Sequence, residues 1–227
     1  MFPGALALAF NLFSKSPLKA ALKPLSTLPS LKPILFSLFY PLLFILTCAV
    51  LALFTGLGTT QMEKLPNFLP QFKWIYILMG ILMIWGEEYG WRGFLLPELT
   101  KLKGKLTATL ITGVVWAIWH TPIIYTLASH QGVPNPLSLS ITLACAVFTF
   151  SFPFAFVYYS SQSIIPPMIL HWTWNLANPI ILGNLYRNTP GFIDGNVRLI
   201  NGEGVMGILL GLIFATVYGS KLWKEKT

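Results

Sequence analysis

Charge is what this sequence has least of. Only 10% of its 227 residues are Asp, Glu, Lys or Arg, and only 7 of those are acidic, whereas a soluble domain carries about 25% charged residues. Sparse charge combined with 15% aromatic residues excludes intrinsic disorder, a collagenous repeat and a nucleic-acid-binding arm. There are only 2 cysteines. Cys48 and Cys145 both fall inside apolar runs, which excludes a disulfide framework and reads as buried thiols. No repeat or low-complexity tract is present. What is abundant is apolar residues, 55% of the chain, with a mean hydropathy of +0.67. The class that remains is a polytopic membrane protein, with length for five to seven spans at roughly 20 residues each and none left for a sizeable soluble domain.

Six apolar runs predict spanning helices: Ile34–Leu57, Trp74–Leu96, Leu106–Leu127, Leu137–Tyr159, Ile164–Leu182 and Val205–Leu222. Each is long enough, or nearly so, to cross a hydrocarbon core of roughly 30 Å at 1.5 Å per residue. Pro66 and Pro70, Gly104, Pro134 with Pro136, Pro166 with Pro167, and Pro190 with Gly191 punctuate them. The fold class is therefore an all-α bundle of about six transmembrane helices over residues 34–227. Residues 1–33 form a separate segment. Its apolar stretch Phe2–Phe13 is too short to span and lacks the charged start of a signal peptide. Lys15, Lys19, Lys23 and Lys32 follow among prolines, which predicts an interfacial segment on the cytoplasmic face.

The net charge of +8 then sorts by loop. With the N-terminus inside, the inner segments hold those four lysines plus Lys101, Lys103, Lys105, Lys221, Lys224 and Lys226. The outer segments hold Lys64, Lys73, Arg187 and Arg198. This asymmetry predicts both termini in the cytoplasm of a cell-membrane protein, and it explains the basic balance without nucleic acid.

In such a chain the informative residues are the polar ones inside the spans, because a charge at the bilayer centre costs at least about 2.5–3.5 kcal/mol and marks function by default. The second run contains Glu87-Glu88-Tyr89-Gly90-Trp91-Arg92-Gly93. Glu88 and Arg92, four apart, share a helix face and can pair. Glu87 lies about 100° around the helix and is free to face a cavity as a general base. A structural ion-pair network is the plainer reading for Glu88 and Arg92. Gly86 and Gly90 make a G-x-x-x-G, which admits a close helical neighbour. The third run carries Trp116-x-x-x-His120, and the fifth carries His171-x-x-x-Asn175, both on single faces. A lone intramembrane His is more often an interhelical hydrogen-bonder than a ligand. His130, in an expected outer loop, is incidental. Counted from the outer ends of the spans, Glu87 lies about 20 Å deep, His120 about 10 Å and His171 about 16 Å. Two carboxylates, two imidazoles and an amide thus converge on one middle slab.

These motifs resemble those of the CPBP family, which contains type II CAAX prenyl proteases and bacteriocin-processing or bacteriocin-immunity proteins. Glu87-Glu88-x-x-x-Arg92 is similar to its E-E-x-x-x-R, Trp116-x-x-x-His120 to its F-x-x-x-H with Trp in place of Phe, and His171-x-x-x-Asn175 to its H-x-x-x-N. The resemblance implies an intramembrane endopeptidase acting on a peptide or prenylated protein substrate without a Ser or Cys nucleophile. It assigns water activation to Glu87 and His120, and oxyanion donation to His171 and Asn175. Glu88 becomes a supporting group or alternative base, and Arg92 its orienting partner. Zinc held by Glu87, His120 and His171 is the competing chemistry. The absence of an H-E-x-x-H helix favours a metal-free site. Two other readings compete: a catalytically silent immunity or binding protein, and a transporter or proton relay, for which no inverted repeat is visible.

Overall fold

The computed structural model describes residues 2–13, 23–62 and 74–225, with only the backbone at 74–77. Lys15, Lys19, Lys64, Lys73 and Lys226, which enter the charge sorting, lie outside the described residues. The fold is an all-α membrane helix bundle. Helix α1 covers Phe2–Phe13 and α2 covers Leu31–Phe54. Helix α3, Trp74–Glu88, continues through a π-helical segment, Tyr89–Leu95, into α4, Leu96–Lys103. Helices α5, Lys105–His130, and α6, Pro136–Ser161, form a long antiparallel pair. Helix α7 spans Ile165–Leu182, α8 is the single turn Val197–Ile200, and α9 is Val205–Lys224. Two three-residue strands, β1 (Gly58–Thr60) and β2 (Ile193–Gly195), pair antiparallel and tie the end of α2 to the loop after α7.

Each expected span contains a helix, but the boundaries differ in informative ways. Among the described residues, four stretches are long and apolar enough to cross a membrane: α2, α5, α6 and Val197–Lys224, which contains α9. The two that fall short are α7 and the composite α3–π–α4, which carry Glu87, Glu88, Arg92, His171 and Asn175, whereas His120 lies on α5. The second run also goes on to Lys103 rather than stopping at Leu96, because Gly104 at φ 77° is the first residue to leave the helical region. His130, expected in a loop, is the last residue of α5 and stands apart from the other histidines.

Helix α6 is the centre of the bundle. It is apolar all around and two-thirds buried (67%), whereas α2, α5 and the α9 stretch are about one-third buried. An all-round apolar helix suits a protein core or a lipid-facing span, and α6 takes the first of these places. Small residues set the spacing. A Cβ at Gly113 of α5 would come 2.5 Å from the Ser151 hydroxyl of α6, and Gly211 of α9 packs directly on Thr149. Without a hydrophobic drive between helices in lipid, such close backbone approach supplies the packing contacts.

The neighbour admitted by Gly86 and Gly90 is α1. A Cβ at Gly4 would sit 2.6 Å from the Gly86 carbonyl oxygen, and one at Gly90 would sit 2.5 Å from Pro3. Phe2 stacks on Trp119 and Phe10 packs on Phe94, so α1 runs alongside the helix that bears the acidic pair. The π-helical segment begins directly after Glu88. Extra residues of this kind, frequent at functional sites, re-aim the side chains that follow, and Tyr89, Gly90, Trp91 and Arg92 are all turned inward.

Candidate functional site

Two layers of polar side chains meet between α3, α5, α6 and α7. The inner layer is closed to solvent. Arg92 Nη1 lies 3.1 and 3.0 Å from the two Glu88 oxygens, with both side chains at 1% exposure or less. The guanidinium is also held between two rings, its Cζ 3.9 Å from the Trp116 centroid and 4.2 Å from that of Phe154. A cation between aromatic faces in a dry setting is strongly placed. Glu88 Oε1 accepts a further hydrogen bond from His171 Nδ1 at 2.8 Å. One carboxylate thus fixes Arg92 and an imidazole on another helix.

The outer layer faces a cavity of about 350 Å³. Glu87, His120, His171 and Asn175 all line it, with Trp116, Phe154 and Trp174 among its aromatic walls. Helix α3 sends Glu88 behind the wall and Glu87 into the space, the divergence expected from adjacent residues 100° apart. His120 Nδ1 pairs with the Trp116 carbonyl at 2.9 Å, the partner one turn back on α5. That bond makes Nδ1 the donor, so Nε2 of the neutral ring is an acceptor. Nε2 faces Glu87 Oε2 across 4.0 Å. This is too long for a hydrogen bond and suits one bridging water. Glu87 Oε2 is buried and, among the described residues, has no hydrogen-bond partner. A smaller cleft of about 220 Å³, lined by Gly80, Met83, Trp172 and Leu176, opens between α3 and α7 onto Glu87, His171 and Asn175. Asn175 is exposed where cleft and cavity meet.

Among the described residues, no three His, Cys, Asp or Glu side chains converge closely enough to hold an ion. His171 Nδ1 is already committed to Glu88.

Three residues outside the sequence reading belong to this site. Asn201 pins the loop between α8 and α9 to α7: its Oδ1 accepts from Asn178 Nδ2 at 2.9 Å, and its Nδ2 donates to the Gly183 carbonyl at 2.7 Å. The same Oδ1 accepts from the backbone N–H of Glu203 at 2.8 Å. The loop so held presents Glu203 to the cavity, where Oε1 accepts from Trp174 Nε1 at 2.9 Å. Tyr186, in the loop after α7, lines the same mouth. Burial, and after it the Glu203 carboxylate, push its phenol above the ordinary value. The available signal was Asn201-Gly202-Glu203-Gly204, an acid between two glycines immediately before an apolar run.

Fold and site together define an integral membrane helix bundle that keeps an acid- and imidazole-lined cavity within its apolar body. Residues 69–177, just under half of the chain, match the family model for Rce1-like type II CAAX prenyl endopeptidases. The match contains all three motifs, and it supports the CPBP family for this chain. Among curated proteins, the chain is 36% identical over 45 residues to the CAAX prenyl protease 2 of Methanococcus maripaludis. That alignment covers 20% of this chain and 17% of the relative's length.

Proposed function

We propose that the protein is an intramembrane endopeptidase that hydrolyses peptide bonds of membrane-associated or prenylated, CAAX-type substrates with a glutamate-activated water. The reading is carried by Glu87 Oε2 and His120 Nε2, which face each other across 4.0 Å inside a cavity that also receives His171 and Asn175. A water between the two acceptors donates a hydrogen bond to each, which turns its lone pair toward a substrate carbonyl. As the C–O bond forms, Glu87 takes the water proton, acting as general base. The oxyanion is met by the Asn175 amide and by His171 Nε2–H. Because His171 Nδ1–H already donates to Glu88, Nε2 carries a proton only in the imidazolium, for which Glu88 is the countercharge. Collapse of the tetrahedral intermediate breaks the C–N bond, and the proton passes to the leaving amine. Glu88 and Arg92 act as positioning residues behind the wall. No step passes through a metal.

The apolar surroundings agree with a lipid-bearing substrate. A groove of about 470 Å³, lined by Leu38, Ile81, Ile165 and Met168, shares Ile84 and Trp172 with the side cleft between α3 and α7. An alkyl or prenyl chain lying there brings its attached peptide to Glu87. The deciding experiment is a peptide-cleavage screen with purified protein, comparing wild type with Glu87→Ala. Turnover by wild type alone supports the peptidase; no turnover of any lipidated or anchored peptide removes it in favour of a silent binding protein. Within an active protein, Asn175→Ala is expected to lower kcat about 10²–10³-fold, the scale of one oxyanion donor, with KM little changed.

The orientation we propose places both termini in the cytoplasm. Lys105 pairs with Glu225, which brings the start of α5 and the end of α9 to one end of the bundle, rich in lysine. Arg198 binds the Pro134 and Asn135 carbonyls at the opposite end. In a background without Cys48 and Cys145, cysteines at Lys103 and Lys224 are expected to react only with a cytoplasmic maleimide, and one at Gln131 only with an external reagent. External labelling at position 103 inverts the assignment.

A further inference from the structure

We propose that Glu203 is a specificity-determining residue, a carboxylate that reads a lysine or arginine side chain of the substrate close to the bond being cut. The inference rests on the peptidase reading above and names the substrate class that the cavity prefers. Three observations carry it. The loop bearing Glu203 is fixed by Asn201, which bonds Asn178, the Gly183 carbonyl and the Glu203 backbone N–H, so the carboxylate is presented rather than left to find its own place. It lines the same cavity as Glu87 and His171 but stands beside Trp174, one turn further along α7 from His171. Its hydrogen bond from Trp174 is neutral, and among the described residues no ion pair reaches it.

A carboxylate in an aromatic cavity loses water, and among the described residues Glu203 receives one indole N–H in return, with charge on His171 acting on it from one turn away along α7. A substrate ammonium or guanidinium supplies the missing charge in a cavity that Trp174 and Tyr186 also line, aromatic surroundings of a kind that accept a cation. A merely structural acceptor for the indole needs no charge at all, since an amide oxygen serves equally. Glu203→Gln therefore separates the two roles: it keeps an acceptor for Trp174 and removes only the charge.

The test measures binding apart from turnover. Protein carrying Glu87→Gln, which also removes the other cavity-facing carboxylate, is titrated in neutral detergent. The probes are fluorescent palmitoylated decapeptides of Ala and Leu, with one Lys or one norleucine placed at each position in turn. At one or two adjacent positions, Lys is expected to bind about ten- to a hundredfold tighter than norleucine, the range of a charge-assisted hydrogen bond. Adding Glu203→Gln is expected to bring the pair within about twofold. A Lys advantage at no position overturns the proposal even without the second variant, as does an advantage that survives Glu203→Gln. Cleavage of the same peptides by wild type is read in parallel. Lys preference without cleavage keeps the cation pocket and removes the peptidase, whereas cleavage indifferent to Lys does the reverse.

Discussion

Glu87→Gln is expected to lower kcat by about 10³-fold, within the span attributed to a positioned general base, while the protein folds and binds as before. The expectation follows from geometry. Gln has the volume of Glu and can still hydrogen-bond a water, but it cannot take the water's proton. Glu87 also carries little of the fold's energy. Among the described residues its ion-pair partner is His120 at 4.0 Å, and Oε2 has no hydrogen bond to lose. The thermal midpoint in detergent is therefore expected to move by no more than a few degrees, and KM for a cleaved peptide by less than about threefold, the pattern of an interaction made only in the transition state. His120→Ala in the same assay is expected to cost less than Glu87→Gln, since it removes an orienting acceptor and leaves the base. Activity in Glu87→Gln within a few-fold of wild type would reject Glu87 as base and turn attention to the remaining cavity carboxylate, Glu203.

The legible parts of this protein were those with a local signature. Apolar runs gave the helices, and spacings of four residues gave the shared faces of Glu88 with Arg92 and of His171 with Asn175. The divergence of Glu87 from Glu88 needed only the helical period. Three features lacked such a signature. The bond from His171 to Glu88 joins residues 83 apart, and nothing in either helix announces the other. The π-helical segment after Glu88 replaces one helical period by another without a proline or a break in hydropathy, so the run reads as uninterrupted. The loop at Asn201 is stabilised by side chains from α7 and backbone carbonyls at its end, contacts that exist only once the bundle has closed. Glu203 has no sequence signature for the same reason: an acid outside a span reads as solvated, and only the tertiary fold turns it inward. Helix α1 was legible as apolar and short, and Gly86 and Gly90 as inviting a neighbour, but no property of either segment linked the two.

Arg92→Met is expected to be the most destabilising of the single substitutions considered, by about 3–5 kcal/mol, the usual cost of removing one member of a buried ion pair. Met keeps much of the aliphatic volume between Trp116 and Phe154, so the loss isolates charge rather than packing. It leaves Glu88 fully enclosed, with His171 Nδ1 as its one remaining partner among the described residues. Arg92→Lys is expected to fall between wild type and Met, because an ammonium restores charge but cannot lie flat between two rings while reaching both carboxylate oxygens. The informative variant is the double one. When Glu88→Leu accompanies Arg92→Met, both charges disappear and the cost of an uncompensated carboxylate disappears with them, so most of the lost stability is expected to return. Turnover is not expected to return, because His171 loses the acceptor that fixes its ring and balances its imidazolium, as outer-layer partners do for reactive histidines generally. Thermal unfolding in detergent and peptide cleavage, measured on the same four proteins, separate the two roles. A double variant as unstable as Arg92→Met would show that Arg92 is held for its packing against Trp116 and Phe154. A double variant that cleaves at wild-type rate would remove the Glu88–Arg92 pair from the mechanism and leave it a structural pair packed against Trp116 and Phe154.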